Sequence, residues 1–369
     1  MKHLSILALL LPSLAFAQGA LTPASAPAAS MKRLDQIEAR CPVQAGAPGV
    51  TGSPTTGFTI SAAGSYYLTG DIAVASGNAI TITASPVTLD LNGFTLSSTA
   101  NPAAGYAIKG GLARISNGRI QCAGTASATG FSGPGFTSGI SLTSGSVTRV
   151  SVAGISGTGI SGAGLVTHSS VRQSGIGINA GIVADCTASA CRTTGIASTI
   201  AVRSTADTFG QGINAAVVAD TTATSSAGDA IVGTVVRSSI GLSDTGYGID
   251  AKVVHDSTGR SRVDSAGTGP TGLRTYIAYN CHGTTASSNA YGIQATYVAF
   301  NCTTGNTAGG LGLWVEKGPA VFSKAFISNA GGNDVAISAP LAIGCTVSGL
   351  PAGMSGVGTP ADMKFLGTP

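Results

Sequence analysis

The sequence predicts an all-β fold, a right-handed parallel β-helix of about 12 coils with a short N-terminal capping helix. Three observations support this fold. A small residue followed by Ile or Leu recurs at short intervals, and Asp or Asn recurs at a second fixed place. The composition combines 54 glycines with 43% hydrophobic and only 9% charged residues. A disordered chain would be richer in charge, and collagen would need glycine at every third position.

The first residues have the features of a signal peptide. Lys2 is positive, Leu4 to Leu11 is an apolar run, and Ala15-Phe16-Ala17 is a small-x-small cleavage site. The run is shorter than the roughly 20 apolar residues of a membrane-spanning helix, and no later stretch approaches that length. We therefore expect a secreted chain, cleaved near Ala17, without a membrane span.

The rest of the chain divides into a cap, a repeat region and a tail. Met31, Leu34 and Ile37 fall on one helical face, so a short helix is expected to cover the first coil. Such a cover protects the open strands of a solenoid end. The predicted organisation is residues 1–17 signal peptide, 18–58 linker and N-terminal cap, 59–348 parallel β-helix, and 349–369 irregular C-terminal tail.

The repeat unit is marked by a small residue followed by Ile or Leu. Successive pairs are 17 or 18 residues apart in the middle of the chain and 20 to 24 apart later, a period typical of solenoids. Coils this small bury their apolar faces only by stacking on neighbours. The pairs are Ala79-Ile80, Ala107-Ile108, Gly139-Ile140, Gly159-Ile160, Gly177-Ile178, Gly195-Ile196, Gly212-Ile213, Ala230-Ile231, Gly248-Ile249, Gly272-Leu273, Gly292-Ile293 and Gly312-Leu313.

The handedness has two candidate solutions. A period of 18 also fits a left-handed helix of hexapeptides, which needs an aliphatic residue at every sixth position. Only about half of the positions counted from Ile176 meet that requirement. Parallel crossovers are strongly biased to the right hand, so we favour the right-handed form.

A second column predicts a tight bend between two strands. Asp and Asn accept the left-handed backbone conformation better than other non-glycine residues, and stacked side chains of this kind can form hydrogen bonds along the ladder. Arg203 and Arg237 are assigned to the same column, where alternating charges avoid repulsion between stacked carboxylates. The acidic and amide members are Asp185, Asp220, Asp256, Asn280 and Asn301.

The seven cysteines are an odd number, so at least one is unpaired within the chain. Cys186, Cys281, Cys302 and Cys345 occupy equivalent places in their repeats, which is consistent with small buried side chains. Cys281 and Cys302 fall on neighbouring coils, within reach of a disulfide. The sequence leaves open whether these cysteines are buried thiols or form a disulfide.

Nearly the whole chain after the signal peptide resembles a known group of proteins, and the N-terminal segment is the most specific part of the resemblance. The segments 34–42 (LDQIEARCP), 60–68 (ISAAGSYYL) and 79–96 (AITITASPVTLDLNGFTL), with the repeat segment 183–188 (VADCTA), resemble bacterial secreted right-handed parallel β-helix proteins. The resemblance implies the pectin-lyase-like fold, which includes polysaccharide lyases and hydrolases. It brings no catalytic residues with it. It also implies that substrate lies on the outer face of the first sheet.

Candidate site residues gather on that outer face in the C-terminal half. Strand side chains alternate, so the residue after each inward Ile or Leu points outward. Aromatic faces beside hydrogen-bonding groups suit sugar rings, so Lys252, Tyr276, Gln294 and Trp314 are candidate glycan-binding residues. The candidate catalytic residues are Asp250, Arg274 and Glu316.

Each candidate catalytic role has a difficulty. Arg274 as the base of a lyase is ordinarily too basic. Asp250 and Glu316 are about three coils apart, which is too far for a retaining glycosidase pair and beyond the usual range of an inverting pair. A calcium-dependent lyase would need clustered acids, and the histidines lack ligand spacing, so no metal or other cofactor is expected.

Two main function classes remain. The first is a secreted, non-catalytic solenoid that binds glycans or serves a structural role at the cell surface. The alternative is a polysaccharide lyase or glycoside hydrolase, so whether the chain is an enzyme is left open. Binding to ice or another crystal surface would need a regular outward Thr-x-Thr ladder, which the sequence does not reveal. The net charge of +4 is too small and dispersed for nucleic-acid binding.

Overall fold

The computed structural model describes residues 40–262, 270–287, 290–308, 311–327, 335–348 and 364–366. These residues form a parallel β-solenoid of about 14 coils, and no helix occurs among them. The predicted signal peptide and capping helix lie outside the described residues, as does most of the predicted tail.

The first coils are built from eight short strands. Strands β2 and β3 form an antiparallel hairpin with Val50 opposite Ile60, whereas β1 lies parallel to β4 with Cys41 beside Tyr66. The bounds are β1 (Cys41–Val43), β2 (Val50–Ser53), β3 (Gly57–Ile60), β4 (Gly64–Leu68), β5 (Ile72–Val74), β6 (Ile80–Ile82), β7 (Val87–Asp90) and β8 (Thr95–Ser98).

The middle coils contain longer strands that continue around the corners of the solenoid. A small antiparallel hairpin of β10 and β11 projects from this region. The bounds are β9 (Tyr106–Gln121), β10 (Thr125–Ala126), β11 (Phe131–Ser132), β12 (Ser138–Ser161), β13 (Leu165–Thr167), β14 (Ser170–Ala184), β15 (Thr187–Val202), β16 (Thr205–Thr208), β17 (Gln211–Ala219) and β18 (Thr222–Ser225).

The later coils return to short strands. Their bounds are β19 (Ile231–Arg237), β20 (Ile240–Ser243), β21 (Ile249–His255), β22 (Thr258–Ser261), β23 (Leu273–Tyr279), β24 (His282–Thr285), β25 (Tyr291–Phe300), β26 (Thr303–Asn306), β27 (Leu311–Val315), β28 (Pro319–Val321), β29 (Lys324–Ile327), β30 (Val335–Ser338), β31 (Leu341–Ile343), β32 (Thr346–Ser348) and β33 (Lys364–Leu366).

Each coil contributes to three parallel ladders. Ladder A contains the Ile or Leu of the repeat motif, as in Ile231 beside Ile249. Ladder B follows it, with Val236 beside Val254, and ladder C completes the coil, with Gly241 beside Gly259. The inward side chains of all three are buried, and each large aliphatic one contributes about 1.5–3 kcal/mol on burial. The motif thus marks the start of ladder A.

The coil count of about 12 was too low. The two additional coils begin at Phe58, which lies beside Ile80, and at Ile337, which lies beside Leu313. The first of these coils has Phe where the motif requires Ile or Leu, so the motif does not identify it. The second begins with Ala336-Ile337, which is itself a small residue followed by Ile.

The predicted bend column is confirmed for its Asp and Asn members. Asp185, Asp220, Asp256, Asn280 and Asn301 all have positive φ, between 48° and 55°. The Asn280 amide donates to Asp256 (3.0 Å), and the Asn301 amide donates to Asn280 (2.9 Å). These stacked hydrogen bonds follow the ladder from one bend to the next.

The charge alternation is confirmed only at its start. Arg203 has a φ of 44° and donates to both carboxylate oxygens of Asp185, at 2.8 and 2.9 Å. This hydrogen bond lowers the pKa of Asp185. The assignment of Arg237 was wrong, because Ser238 holds the positive φ of that bend while Arg237 is the last residue of β19.

Candidate functional site

Ladder A places the predicted outward residues side by side. The register runs from Val232 to Asp250, Arg274, Gln294 and Trp314, one residue per coil. The alternation of strand side chains sends all of them to the outer face, opposite the buried Ile and Leu column. The candidates Asp250, Arg274, Gln294 and Trp314 therefore form one row along the solenoid.

A groove of about 360 Å³ lies over this row. Lys252, Tyr276 and Gln294 of the candidate binding residues line it, as do Asp250 and Arg274 of the catalytic candidates. Thr296 completes its polar wall. Trp314 and Glu316 are absent from the lining, so the structure brings together five of the seven candidate residues.

Arg274 is held by two partners. Its Nε donates to Asp250 Oδ1 (3.0 Å) and its Nη2 to Asp250 Oδ2, while Nη1 donates to the Tyr247 hydroxyl (2.8 Å). The guanidinium carbon lies 3.9 Å from the centroid of the Tyr247 ring. The hydrogen bond with Asp250 raises the pKa of Arg274, so this side chain keeps its proton and is unsuited to act as a base.

The Tyr247–Arg274 arrangement recurs two coils later. Tyr291 and Trp314 stack with ring centroids 4.9 Å apart and an interplanar angle of 21°. Each tyrosine stands two residues before the inward Ile of its coil, and its partner belongs to the next coil. A flat side chain thus lies on a tyrosine of the preceding coil at two places along the outward row.

Tyr276 of the groove lining packs against Tyr297, and both rings are half exposed. Tyr276 and Tyr297 meet edge to face with centroids 5.9 Å apart, and they are 49% and 47% exposed. Lys317 Nζ lies 6.0 Å from the Tyr297 ring and 3.7 Å from Glu316 Oε1. Glu316 is therefore paired with its own neighbour, three coils away from Asp250, as its sequence position predicts.

Asp229 interacts with the charges of Asp250 and Arg274 from outside the groove lining, and the sequence reasoning missed it. It stands two residues before Ile231, the same place that Tyr247 and Tyr291 occupy in their coils. Its Oδ1 accepts a hydrogen bond from the Tyr247 backbone N–H (2.8 Å). Burial raises the pKa of Asp229, and the charge of Asp250 raises it further. The position shared with the two tyrosines was the signal that could have found it.

Asp229 and Asp250 thus offer two carboxyl groups in different surroundings. Asp229 is partly buried and held by a backbone amide, whereas Asp250 is paired with Arg274. No cluster of three potential metal ligands occurs among the described residues.

A column of hydroxyl side chains runs along the outside of ladder C. It is interrupted at Ile240, and the column two residues further along carries Asp207, Leu242 and Arg260. The strict Thr-x-Thr pattern expected of a crystal-binding surface is therefore not repeated. The hydroxyl residues are Ser151, Ser170, Thr187, Thr205, Thr222 and Thr258.

No helix in the described part of the chain is long and apolar enough to cross a membrane. Comparison with known proteins found no matching family model, no similar curated protein and no similar solved structure.

Proposed function

We propose that this chain is a secreted, right-handed β-helix that binds glycan chains along the outer face of ladder A. The N-terminal residues from Lys2 to Ala17 support export. The bias of parallel crossovers supports the right hand, and the resemblance to secreted β-helix proteins supports a pectin-lyase-like relation. A structural role at the cell surface is compatible with the same binding face.

One observation carries the proposal, the groove in which a half-exposed aromatic ring lies among fixed polar groups. The C–H faces of a pyranose pack on an aromatic ring, while its hydroxyls need donors and acceptors at the rim. Tyr276 offers the ring, Gln294 and Thr296 offer both hydrogen-bonding functions, and Lys252 offers a cation. Ligand grooves of this size commonly combine apolar walls with a few placed polar groups.

The binding test replaces Tyr276 by alanine in the full chain. We expect the dissociation constant for a bound polysaccharide to rise about tenfold or more, because an exposed aromatic contact is lost. Binding is measured across a panel of neutral and acidic polysaccharides. Tyr279→Ala is the matched control, since Tyr279 stacks on His255 away from the groove and its loss is expected to leave affinity unchanged. Wild-type chain that binds no member of the panel refutes the proposal.

Glycoside hydrolysis is a second candidate function, favoured by the two carboxyl groups of Asp229 and Asp250. Asp229 would donate a proton to the leaving oxygen, because its raised pKa keeps it protonated to higher pH than an ordinary aspartate. Asp250 would act as the ionised partner, held in place by Arg274. The Arg274-based lyase is not supported, because Arg274 retains its proton.

Asp229→Asn tests this second function. The amide has the same shape but cannot donate an acidic proton. The rate at which new reducing ends form is therefore expected to fall by a factor of about 10² or more. Polysaccharide binding is expected to persist in the variant. Equal rates in Asp229→Asn and the wild-type chain, or no reducing ends from either, would exclude the role.

A further inference from the structure

The cysteines of the repeats form part of a column of small polar side chains. Cys186, Cys281, Cys302 and Cys345 each follow a bend residue with positive φ, as predicted from their spacing. Serine or threonine occupies the same place in the coils between them, at Ser204, Thr221, Ser239, Ser257 and Ser323.

Cys281 and Cys302 are the two cysteines that adjoin in this column. The pairs before and after them are in register, with Tyr279 beside Phe300 and His282 beside Thr303. Parallel strands about 4.8 Å apart place such neighbours within the Cα separation of a disulfide. Cys186 is flanked by serines, and Ser323 separates Cys302 from Cys345.

The two side chains are buried at adjacent places in the column. Cys281 is 2% exposed and Cys302 is 1% exposed. Both thiols lie near the carbonyl two residues earlier, at 3.1 Å for Cys281 and 3.3 Å for Cys302. The interaction with the Cys302 thiol, together with burial, raises the pKa of Cys281. The register places the two cysteines on adjacent coils, with no other member of the column between them.

We propose that Cys281 and Cys302 form a disulfide that joins two adjacent coils, while the other five cysteines remain thiols. All seven are thiols in the structure described above. The oxidant is a disulfide compound, such as oxidised glutathione or the disulfide of a thiol oxidoreductase. One thiolate attacks that disulfide and releases a thiol, and the second thiolate then displaces the other sulfur. One S–S bond forms, one breaks, and two protons pass to the released thiols.

The disulfide would act on the stability of the later coils. It closes a loop in the unfolded chain and so reduces the conformational freedom that folding must overcome. The two coils it joins also carry Tyr276 and Gln294 of the groove. The inference depends on an oxidising environment but not on glycan binding, so the two proposals fail separately.

The experiment counts thiols in the full chain after refolding in a buffer of reduced and oxidised glutathione. The chain is denatured without reductant and alkylated. It is then digested with a protease that cuts between Cys281 and Cys302, and the peptides are identified by mass spectrometry. We expect five alkylated cysteines and one linked peptide pair that contains Cys281 and Cys302. Seven alkylated cysteines in a chain that has regained its β circular dichroism, or a link between other cysteines, overturns the proposal.

Two serine variants provide the controls. Cys302→Ser places in the column the residue that Ser257 and Ser323 already supply, and all six remaining cysteines are expected to be alkylated. Cys345→Ser is expected to keep the linked peptide. Reductant is expected to lower the melting temperature of the wild-type chain by several degrees and to leave that of Cys302→Ser unchanged. Equal sensitivity of both chains to reductant also counts against the disulfide.

Discussion

Truncation of Ile249 to alanine is expected to destabilise the solenoid by about 2–5 kcal/mol. Ile249 is fully buried, and it lies between Ile231 and Leu273 in the inward column of ladder A. Its Cγ1 also fills the space over Gly241 of ladder C, where an added Cβ would approach it to 3.0 Å. Alanine would therefore leave a cavity between two ladders, and the close-packed coils on either side cannot collapse into it.

The matched control is Ile240→Ala. Ile240 is the same residue type in a neighbouring coil, but it points outward from ladder C and is 44% exposed. Its truncation is expected to change stability by less than about 0.5 kcal/mol. Denaturation of both variants is followed by circular dichroism. Similar losses in the two variants would show that the Ile column does not face the core.

The periodic part of this fold is visible in the sequence because it is repeated. Alternation of strand side chains predicted the outward row of Asp250, Arg274, Gln294 and Trp314 from the buried residues beside them, and the register confirms it. The same logic found the bend column, since only Gly, Asn and Asp adopt positive φ readily. These features depend on local geometry, which one coil shares with the next.

The misassigned bend residue occurs where coil length varies by one residue. Arg237 is 17 residues after Asp220 and Ser238 is 18 after it, and both intervals occur elsewhere in the repeat. Spacing alone could not decide which of them is at the bend. The bend at Ser238 depends on its alignment with Asp256 of the next coil, which is a property of the stacked structure.

The candidate site was predictable only in part for a related reason. Asp229 and Tyr247 lie just before ladder A, at a corner where the alternation of a strand does not apply. Which of their atoms reach Asp250 and Arg274 depends on the course of the chain around that corner. The hydrogen bond that Asp229 accepts from the Tyr247 backbone N–H fixes this corner, as the bond that Asn78 accepts from the Tyr106 backbone N–H does in an earlier coil.

Substitution of Gly248 by alanine is expected to destabilise the solenoid by about 3 kcal/mol or more, or to prevent folding. The loss is comparable to that expected for Ile249→Ala. A Cβ at this position would lie 2.3 Å from the backbone nitrogen of Arg260 and 2.6 Å from the carbonyl oxygen of Gly272. Both are backbone atoms held in parallel ladders, so neither can move aside as a flexible side chain could.

The comparison that isolates this clash is Gly70→Ala. Gly70 has no atom within 4 Å of an added Cβ, and its φ is not in the positive region. The same substitution there is expected to be neutral or to stabilise by up to about 1 kcal/mol, because alanine reduces the freedom of the unfolded chain. Thermal denaturation of the two variants beside wild type provides the measurement. The melting temperature is expected to fall in Gly248→Ala and to stay equal or rise in Gly70→Ala. Equal melting temperatures of the two variants would contradict the close approach of the coils.

The Gly248 substitution also distinguishes two explanations of the small residue in the motif. Ala79, Ala107, Ala230 and Ala336 occupy the equivalent place in four other coils, so the sequence pattern alone classifies this position as small and predicts that alanine is accepted. The structure assigns it to glycine, because the backbone of Arg260 in ladder C passes too close to leave room for a methyl group. A stable Gly248→Ala chain would mean that the motif is the better guide. Loss of folding would mean that the close approach of ladder C decides which small residue this position accepts.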